Sequence, residues 1–306
     1  MDFSDYIFRC HMVGKIINVP KPLTLNQRNT LDDFSNREKG IGNKLTAKQV
    51  ITLNELRYKE DQSKIYNLTD GAKRTLSELV YAEKYNRKIE INSPKITKGL
   101  EVEKEARDIL SRVTGLFLTA SEERKTNNWV SGKIDIKPND VIPDIKSTWS
   151  WESFSNILND KPNGLYLRQG DSYMDLWGKK DFLLCHVLVD TPFKLLEGEI
   201  RKYDFKYNIL NVEGEVRDLN IDDVKKIVQN HLFSRRALEA FCEHSSIVHI
   251  EWFNDFVEIP EQDRVHMIPH SFDKDRILQR NESISLAREY MNKVNPINNF
   301  NPHLVA

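Results

Sequence analysis

W-V-S-G-K-I-D-I-K-P-N-D-V-I-P-D-I-K-S-T, residues 129–148, reads as two strands joined by a tight turn. The first, 129–136, ends in G-K-I-D-I, and the second, 141–147, is V-I-P-D-I-K-S. Between them Lys137-Pro138-Asn139-Asp140 is turn chemistry: proline fixes φ, and Asn and Asp bond back to their own backbone. The apolar Ile134, Ile136, Val141, Ile142 and Ile145 are β-branched, as a strand core prefers. Side chains two apart on a strand share a face, so Asp144 and Lys146 point the same way, and a hairpin brings Asp135 back beside them. Hard divalent cations are held by one or two carboxylates together with water and substrate phosphate. A lysine beside them can hold an attacking water or offset charge on the phosphate. Taken alone, the same residues also describe a surface hairpin with an incidental ion pair.

The 306 residues are 39% hydrophobic and 30% charged, which suits one large globular domain or two small ones. No apolar run approaches the ~18 residues of a membrane span. M-D-F-S-D-Y-I-F-R-C at the start lacks a basic segment followed by an apolar one, so no signal peptide is expected, and the expected compartment is reducing cytoplasm. Cys10, Cys185 and Cys242 are far apart with no CxxC, against a disulfide framework and against a Cys-ligated zinc or iron–sulfur site. A net charge of −1 confines any nucleic-acid binding to a local patch.

The front of the chain reads as largely helical. Residues 8–17 suggest a short helix broken at Pro20 and Pro22, and D-D-F-S-N-R-E-K-G-I-G-N after them is loop-like. Thr46-Ala-Lys-Gln49 is a capping box opening one helix, and Thr69 or Asp70 caps another that carries Ala72, Leu76, Leu79 and Val80. Residues 98–113 read as a single helix whose apolar face holds Val102, Ala106, Ile109, Leu110 and Val113. Glu103 falls at the edge of that face, and Glu101 and Glu105 lie further round. A glutamate there needs a partner, either a structural ion pair or a metal or catalytic lysine. Gly115 closes the helix, and 116–120 leads on as a strand.

After the hairpin, L-Y-L-R-Q-G-D-S-Y-M-D-L-W is a helix with Gln169 and Tyr173 on the face of Leu165 and Leu176. The apolar run 182–189 is a strand covered on both sides, with His186 a core histidine. A polar-faced strand is expected over 199–207, helices over 222–240, short strands at V-H-I-E-W-F and R-V-H-M-I-P-H, and a final amphipathic helix over 273–294. His249, His266 and His270 do not form a zinc-binding H-E-x-x-H pair.

Four elements thus follow in order: Gly99-x-x-x-Glu103, Asp135, Asp144-Ile145-Lys146, and Gln169-x-x-x-Tyr173. Together they resemble the PD-(D/E)xK nuclease superfamily, in its RecB-like and phage lambda exonuclease-like (YqaJ) branch. K-G-L-E-V-E-K-E-A is similar to that branch's Gly-x-x-x-Glu-x-x-Ala helix, and Y-L-R-Q-G-D-S-Y to its Gln-x-x-x-Tyr helix. The pattern departs in having Ile134, not proline, before Asp135. The Pro-Asp of this chain is Pro143-Asp144, so an alternative alignment takes Asp140 or Asp144 as the first acid. The resemblance implies an α/β three-layer restriction-endonuclease-like core over 95–295, with a mixed central sheet flanked by helices. A helical region would precede it (1–94) and a loose tail follow (296–306). It also implies that Asp135, Asp144, the Ile145 carbonyl and Glu103 bind Mg²⁺ or Mn²⁺. Lys146 would orient or activate water, and Gln169 and Tyr173 would brace the lysine and the DNA backbone. The implied activity is that of a DNA exonuclease on linear duplex ends, phage- or bacterium-encoded and working in recombination or end processing. The alternatives are an endonuclease of the same fold and a catalytically idle nuclease fold acting as a DNA-binding or assembly protein. A single-strand annealing partner and a homo-oligomer are known in the branch.

Overall fold

The computed structural model describes residues 1–17, 23–62, 67–87 and 93–294. The expected break at Pro20 and Pro22 and the expected loose tail lie outside these residues. In chain order the elements begin with β1 (Phe8–Arg9), α1 (Cys10–Ile16), α2 (Leu25–Glu38), α3 (Ala47–Gln62), α4 (Asp70–Lys84), α5 (Pro94–Glu101) and α6 (Glu103–Thr114). Then come β2 (Arg124–Thr126), β3 (Val130–Lys133), β4 (Val141–Ser147), α7 (Trp151–Asn159), α8 (Gly164–Trp177) and β5 (Asp181–Val187). The chain continues with α9 (Phe193–Tyr207), α10 (Ile221–Gln229), α11 (Arg235–His244), β6 (Val265–Ser271) and α12 (Lys274–Lys293). It divides into two compact units: Met1–Ile89, Thr126–Ser131 and Asp273–Ala306 in one, Glu90–Lys125 and Gly132–Phe272 in the other.

In the first unit, the expected caps are present. Thr46 and Gln49 exchange hydrogen bonds at 3.0 and 3.3 Å to open α3, and Thr69 accepts from the Ala72 N–H at 3.1 Å to open α4. These satisfy N–H groups that a helix start otherwise leaves without partners. Ala72, Leu76 and Val80 form the buried stripe of α4. The first part of the segment read as loop-like, 32–38, is instead the end of helix α2, opened by a second capping box between Thr24 and Gln27, whereas 39–43 is irregular as expected. The helix buries only Leu31, so it carries almost no apolar period to read. The final helix α12 runs where expected, capped by Asp273. It is fastened to the chain start by Arg288, which donates to the carbonyls of Tyr6 and Asn128 and stacks 5.1 Å from the Trp129 ring.

The second unit is built on a mixed sheet of order β4-β5-β6, with β4 and β5 parallel and β6 antiparallel. Ile145, Leu183, Cys185 and Val187 pack with Val102, Ala106, Ile109 and Leu110 of the α6 side. The alternate residues, Ile142, Asp144 and Lys146 of β4 opposite Phe182, Leu184 and His186 of β5, belong to the other face. That face is covered by α8, whose Gly170 lies so close to β5 that a Cβ there would meet the Phe182 ring at 2.5 Å. Helix, mixed sheet and helix are the three layers expected of an α/β core. A separate apolar cluster gathers α9, α10 and α11 around Leu196, Ile200, Val224, Val228, Leu238 and Phe241.

Further expectations are corrected here. β3 and β4 do not pair: they belong to different sheets. Residues 135–137 instead bond to 119–121, where the Ser121 N–H reaches the Asp135 carbonyl (2.9 Å) and the Lys137 N–H the Thr119 carbonyl (2.8 Å). That competing segment takes the backbone groups that a β3–β4 hairpin needs, and 116–120 contributes only a bridge at Ala120 rather than a strand. Second, the single helix expected over 98–113 is two, broken at Val102 (φ −100°, ψ 7°). Third, 199–207 is part of helix α9, because Leu196 and Ile200 are buried at a helical interval of four. Fourth, the V-H-I-E-W-F segment forms a 3₁₀ turn, Ile250–Phe253.

Candidate active site

Position on β4 decides the first two groups. Asp144 and Lys146 stand on one face, and Lys146 Nζ lies 2.7 Å from Asp144 Oδ2. Asp144 is 4% exposed, whereas the Lys146 side chain keeps 23% of its surface in reach of solvent. The 2.7 Å contact is an ion pair at poor angles, and Oδ2 makes no hydrogen bond among the described residues. Burial alone pushes the Lys146 ammonium down, but the carboxylate beside it outweighs burial and holds its pKa above the ordinary lysine value. The Lys146 ammonium also stands 5.0 Å from the centre of the Tyr166 ring on α8, a cation–π contact.

Asp135 reaches this pair through the 119–121 ladder instead of a hairpin. Burial, then the like charges of Asp144 and Glu103, raise its carboxyl, against an opposing pull from Lys146 and Lys133. Glu103 is the first residue of α6, exposed where the break at Val102 restarts the helix. It lines a cleft of about 320 Å³ together with Gly99, Asp135, Lys146 and Tyr166. Gly99 leaves that wall open, since a Cβ there would meet nothing within 4 Å. Glu101 and Glu105 do not line the cleft. Glu105 instead feels burial and the like charge of Asp190, which push its carboxyl up.

Among the described residues, no three His, Cys, Asp or Glu side chains converge tightly enough to cage a metal by themselves. A Mg²⁺-type ion needs less, because it keeps several waters and takes oxygens from substrate. Two carboxylates meet here, the buried Asp144 and an Asp135 whose carboxyl is raised by burial and then by its negative neighbours, and a divalent cation favours such a pair. The residues present fit such an ion, and Asp135 and Asp144 are the carboxylates that could hold it.

Gln169 and Tyr173 are both buried, and Gln169 Nε2 donates to Tyr173 Oη at 2.8 Å. The ring over Lys146 is that of Tyr166, one turn earlier on α8, which sequence reading passed over. Its signal was its place three residues before Gln169, on the side of α8 that faces β4. His186, opposite Lys146 in the ladder, is a buried histidine as expected, pushed down to about 4 by burial, then by His266 and Lys146. Lys98 was also passed over. It is 1% exposed on α5, donates to the Trp149 carbonyl at 2.9 Å, and lies between the rings of Trp149 and Phe233. Burial brings it down to about 7.

No protein-family model and no curated protein matches the sequence. Among solved structures, a phage-related exonuclease from Haemophilus somnus 129PT aligns with TM-score 0.57 and 19% identity over 94% of this chain and 95% of that one. The alkaline exonuclease LHK-Exo from Laribacter hongkongensis aligns over 74% of this chain and 81% of its own, with 13% identity and TM-score 0.44. In fold, therefore, this chain is similar to a phage-related exonuclease over nearly its whole length, and its mixed sheet lies between helices in an α/β architecture.

Proposed function

We propose that the protein is a metal-dependent DNA nuclease, an exonuclease acting on linear duplex ends in recombination or end processing. The observation that carries this reading is the cleft itself, which brings Glu103, Asp135 and Lys146 together above the buried Asp144 on a nuclease fold. Asp135 and Asp144, with Glu103 and the Ile145 carbonyl, would hold Mg²⁺ or Mn²⁺. That ion supplies Lewis acidity to a phosphodiester and lowers the pKa of bound water. Lys146 has its pKa raised, so it is an ammonium at neutral pH. It therefore acts as a donor, orienting water or screening charge on phosphate oxygens, and does not act as a general base. Tyr166 fixes the ammonium from the α8 side, while the Gln169–Tyr173 pair stiffens the helix that carries it.

Linear and covalently closed duplex DNA, incubated with Mg²⁺ or Mn²⁺ with and without chelator, test the reading. Linear DNA is expected to be degraded, circles to survive, and chelator to stop the reaction. Rapid cutting of circles would transfer the site to an endonuclease, and inertness toward DNA in either metal would remove the nuclease.

Placement of Glu103 yields a second expectation. Glu103→Gln keeps volume and removes charge at an exposed helix start, so it should cost activity on the order of tenfold or more with little change in melting temperature. Glu101→Gln, outside the cleft, should be near neutral. Equal cleavage rates in the two variants would take Glu103 out of the site.

A further inference from the structure

The cleft at Lys146 does not end there. A second cavity of about 460 Å³ shares Lys95, Lys146, Ser147 and Tyr166 with it, and continues past Lys161 to Trp149 and Ser153. A third, of about 600 Å³, shares Lys95, Trp149 and Ser153 with the second and opens onto α9. The shared walls set the three cavities in a row, a trough that follows the chain as it leaves β4 and turns into α7. Its far end is lined by Trp149, Lys202, Tyr203, Lys206 and Tyr207. Tyr203 is anchored by a 3.0 Å hydrogen bond to Asp223, and the Tyr207 ring lies 4.5 Å from it, half-exposed, with the Lys206 ammonium 4.8 Å from the Tyr207 ring centre. Lys95, Lys161 and Lys206 have no carboxylate within ion-pair distance among the described residues. The acids of the far end are Glu199, tied to Lys202 at 2.5 Å, and Glu152.

Aromatic faces alternating with unpaired cations along a groove are what an unpaired nucleic-acid strand requires, bases on the rings and phosphates on the ammonium groups. We infer that the trough from Lys146 through Lys95 and Trp149 to Lys206 and Tyr207 binds single-stranded DNA contiguous with the phosphate held at the cleft. The inference rests on the nuclease reading for its direction but not for its chemistry. Sequence reading missed it because 199–207 looked like a strand. As a helix, α9 turns Leu196 and Ile200 to its apolar cluster and brings Glu199, Lys202, Tyr203 and Lys206 to the trough.

The test is fluorescence anisotropy with a short labelled oligothymidylate in chelator, on the full chain and on Lys206→Glu, Tyr207→Ala and Lys194→Glu. Lys194 is an exposed lysine of the same helix that lines none of the three cavities. Lys206→Glu and Tyr207→Ala are each expected to bind about tenfold more weakly, and Lys194→Glu as the parent does. Unchanged affinity in both trough variants would overturn the inference, as would an equal loss in Lys194→Glu, which would mark a diffuse charge effect. DNA cleavage without this binding pattern defeats the trough alone. The binding pattern without cleavage defeats the nuclease reading alone.

Discussion

Asp144→Ala is expected to lose cleavage by about a thousandfold or more while remaining folded. The loss follows from position: Asp144 is the buried carboxylate of the site, and its removal takes away both a proposed metal ligand and the group that holds Lys146 charged and aimed. Loss of a single pre-aimed electrostatic group commonly costs about a hundred- to a thousandfold, and here two functions go at once. Breaking a fully buried ion pair by removing one partner costs about 3–5 kcal/mol. The destabilisation should be smaller here, because water reaches the Lys146 side chain. Asp144→Ala/Lys146→Ala should recover part of the lost stability and none of the activity, since it leaves no unpaired cation. Melting curves and cleavage rates on the parent and both variants check this. Full cleavage by folded Asp144→Ala in chelator would sink the mechanism.

Asp135→Asn should also lose cleavage, and yet become more stable. The folded-state pKa of Asp135 lies above its ordinary value of 3.8, by burial and by the like charges of Asp144 and Glu103. A carboxyl shifted this way holds its proton more tightly in the folded chain. Its favourable contribution is complete below the unfolded value and is lost as pH rises through the folded one. At neutral pH the charged group therefore opposes folding, and asparagine removes the opposition. The expected gain in melting temperature, on the order of 2 °C, should be present at neutral pH and shrink as pH falls toward the unfolded value. Mg²⁺ should raise the melting temperature of the parent, as any ligand of the folded state does, and raise that of Asp135→Asn less. A lower melting temperature for Asp135→Asn at neutral pH would contradict the electrostatic account.

Much of the core was legible because its signals were local. The β-branched run of β4, the apolar run of β5 and the capped helix α12 each declare themselves within a few residues. The shared face of Asp144 and Lys146 follows from strand alternation alone. The rest depended on competition between distant segments. Nothing within 129–148 shows that 119–121 outbids β4 for the backbone of 135–137. The break at Val102 sits inside an unbroken helical apolar period, and no proline or glycine marks it. Tyr166 and Lys98 gain their meaning from groups far along the chain, Lys146 for one and Trp149 and Phe233 for the other. No membrane span was expected, and no helix among the described residues is long and apolar enough to cross a membrane.

A unit made from segments far apart in the sequence sets a timetable for biosynthesis. Arg288 donates to the Tyr6 carbonyl across 282 residues of sequence, and α1 and α4 both pack against α12, so that part of their burial waits for α12. At translation speeds of about 5–20 residues per second, the leading helices wait tens of seconds on the ribosome without that partner. The β4-β5-β6 sheet draws its strands from a much shorter stretch and is complete before α12 emerges. On this schedule the sheet beside the candidate site takes shape first. The exposed N-terminal helices are meanwhile the nascent segment most in need of chaperone cover.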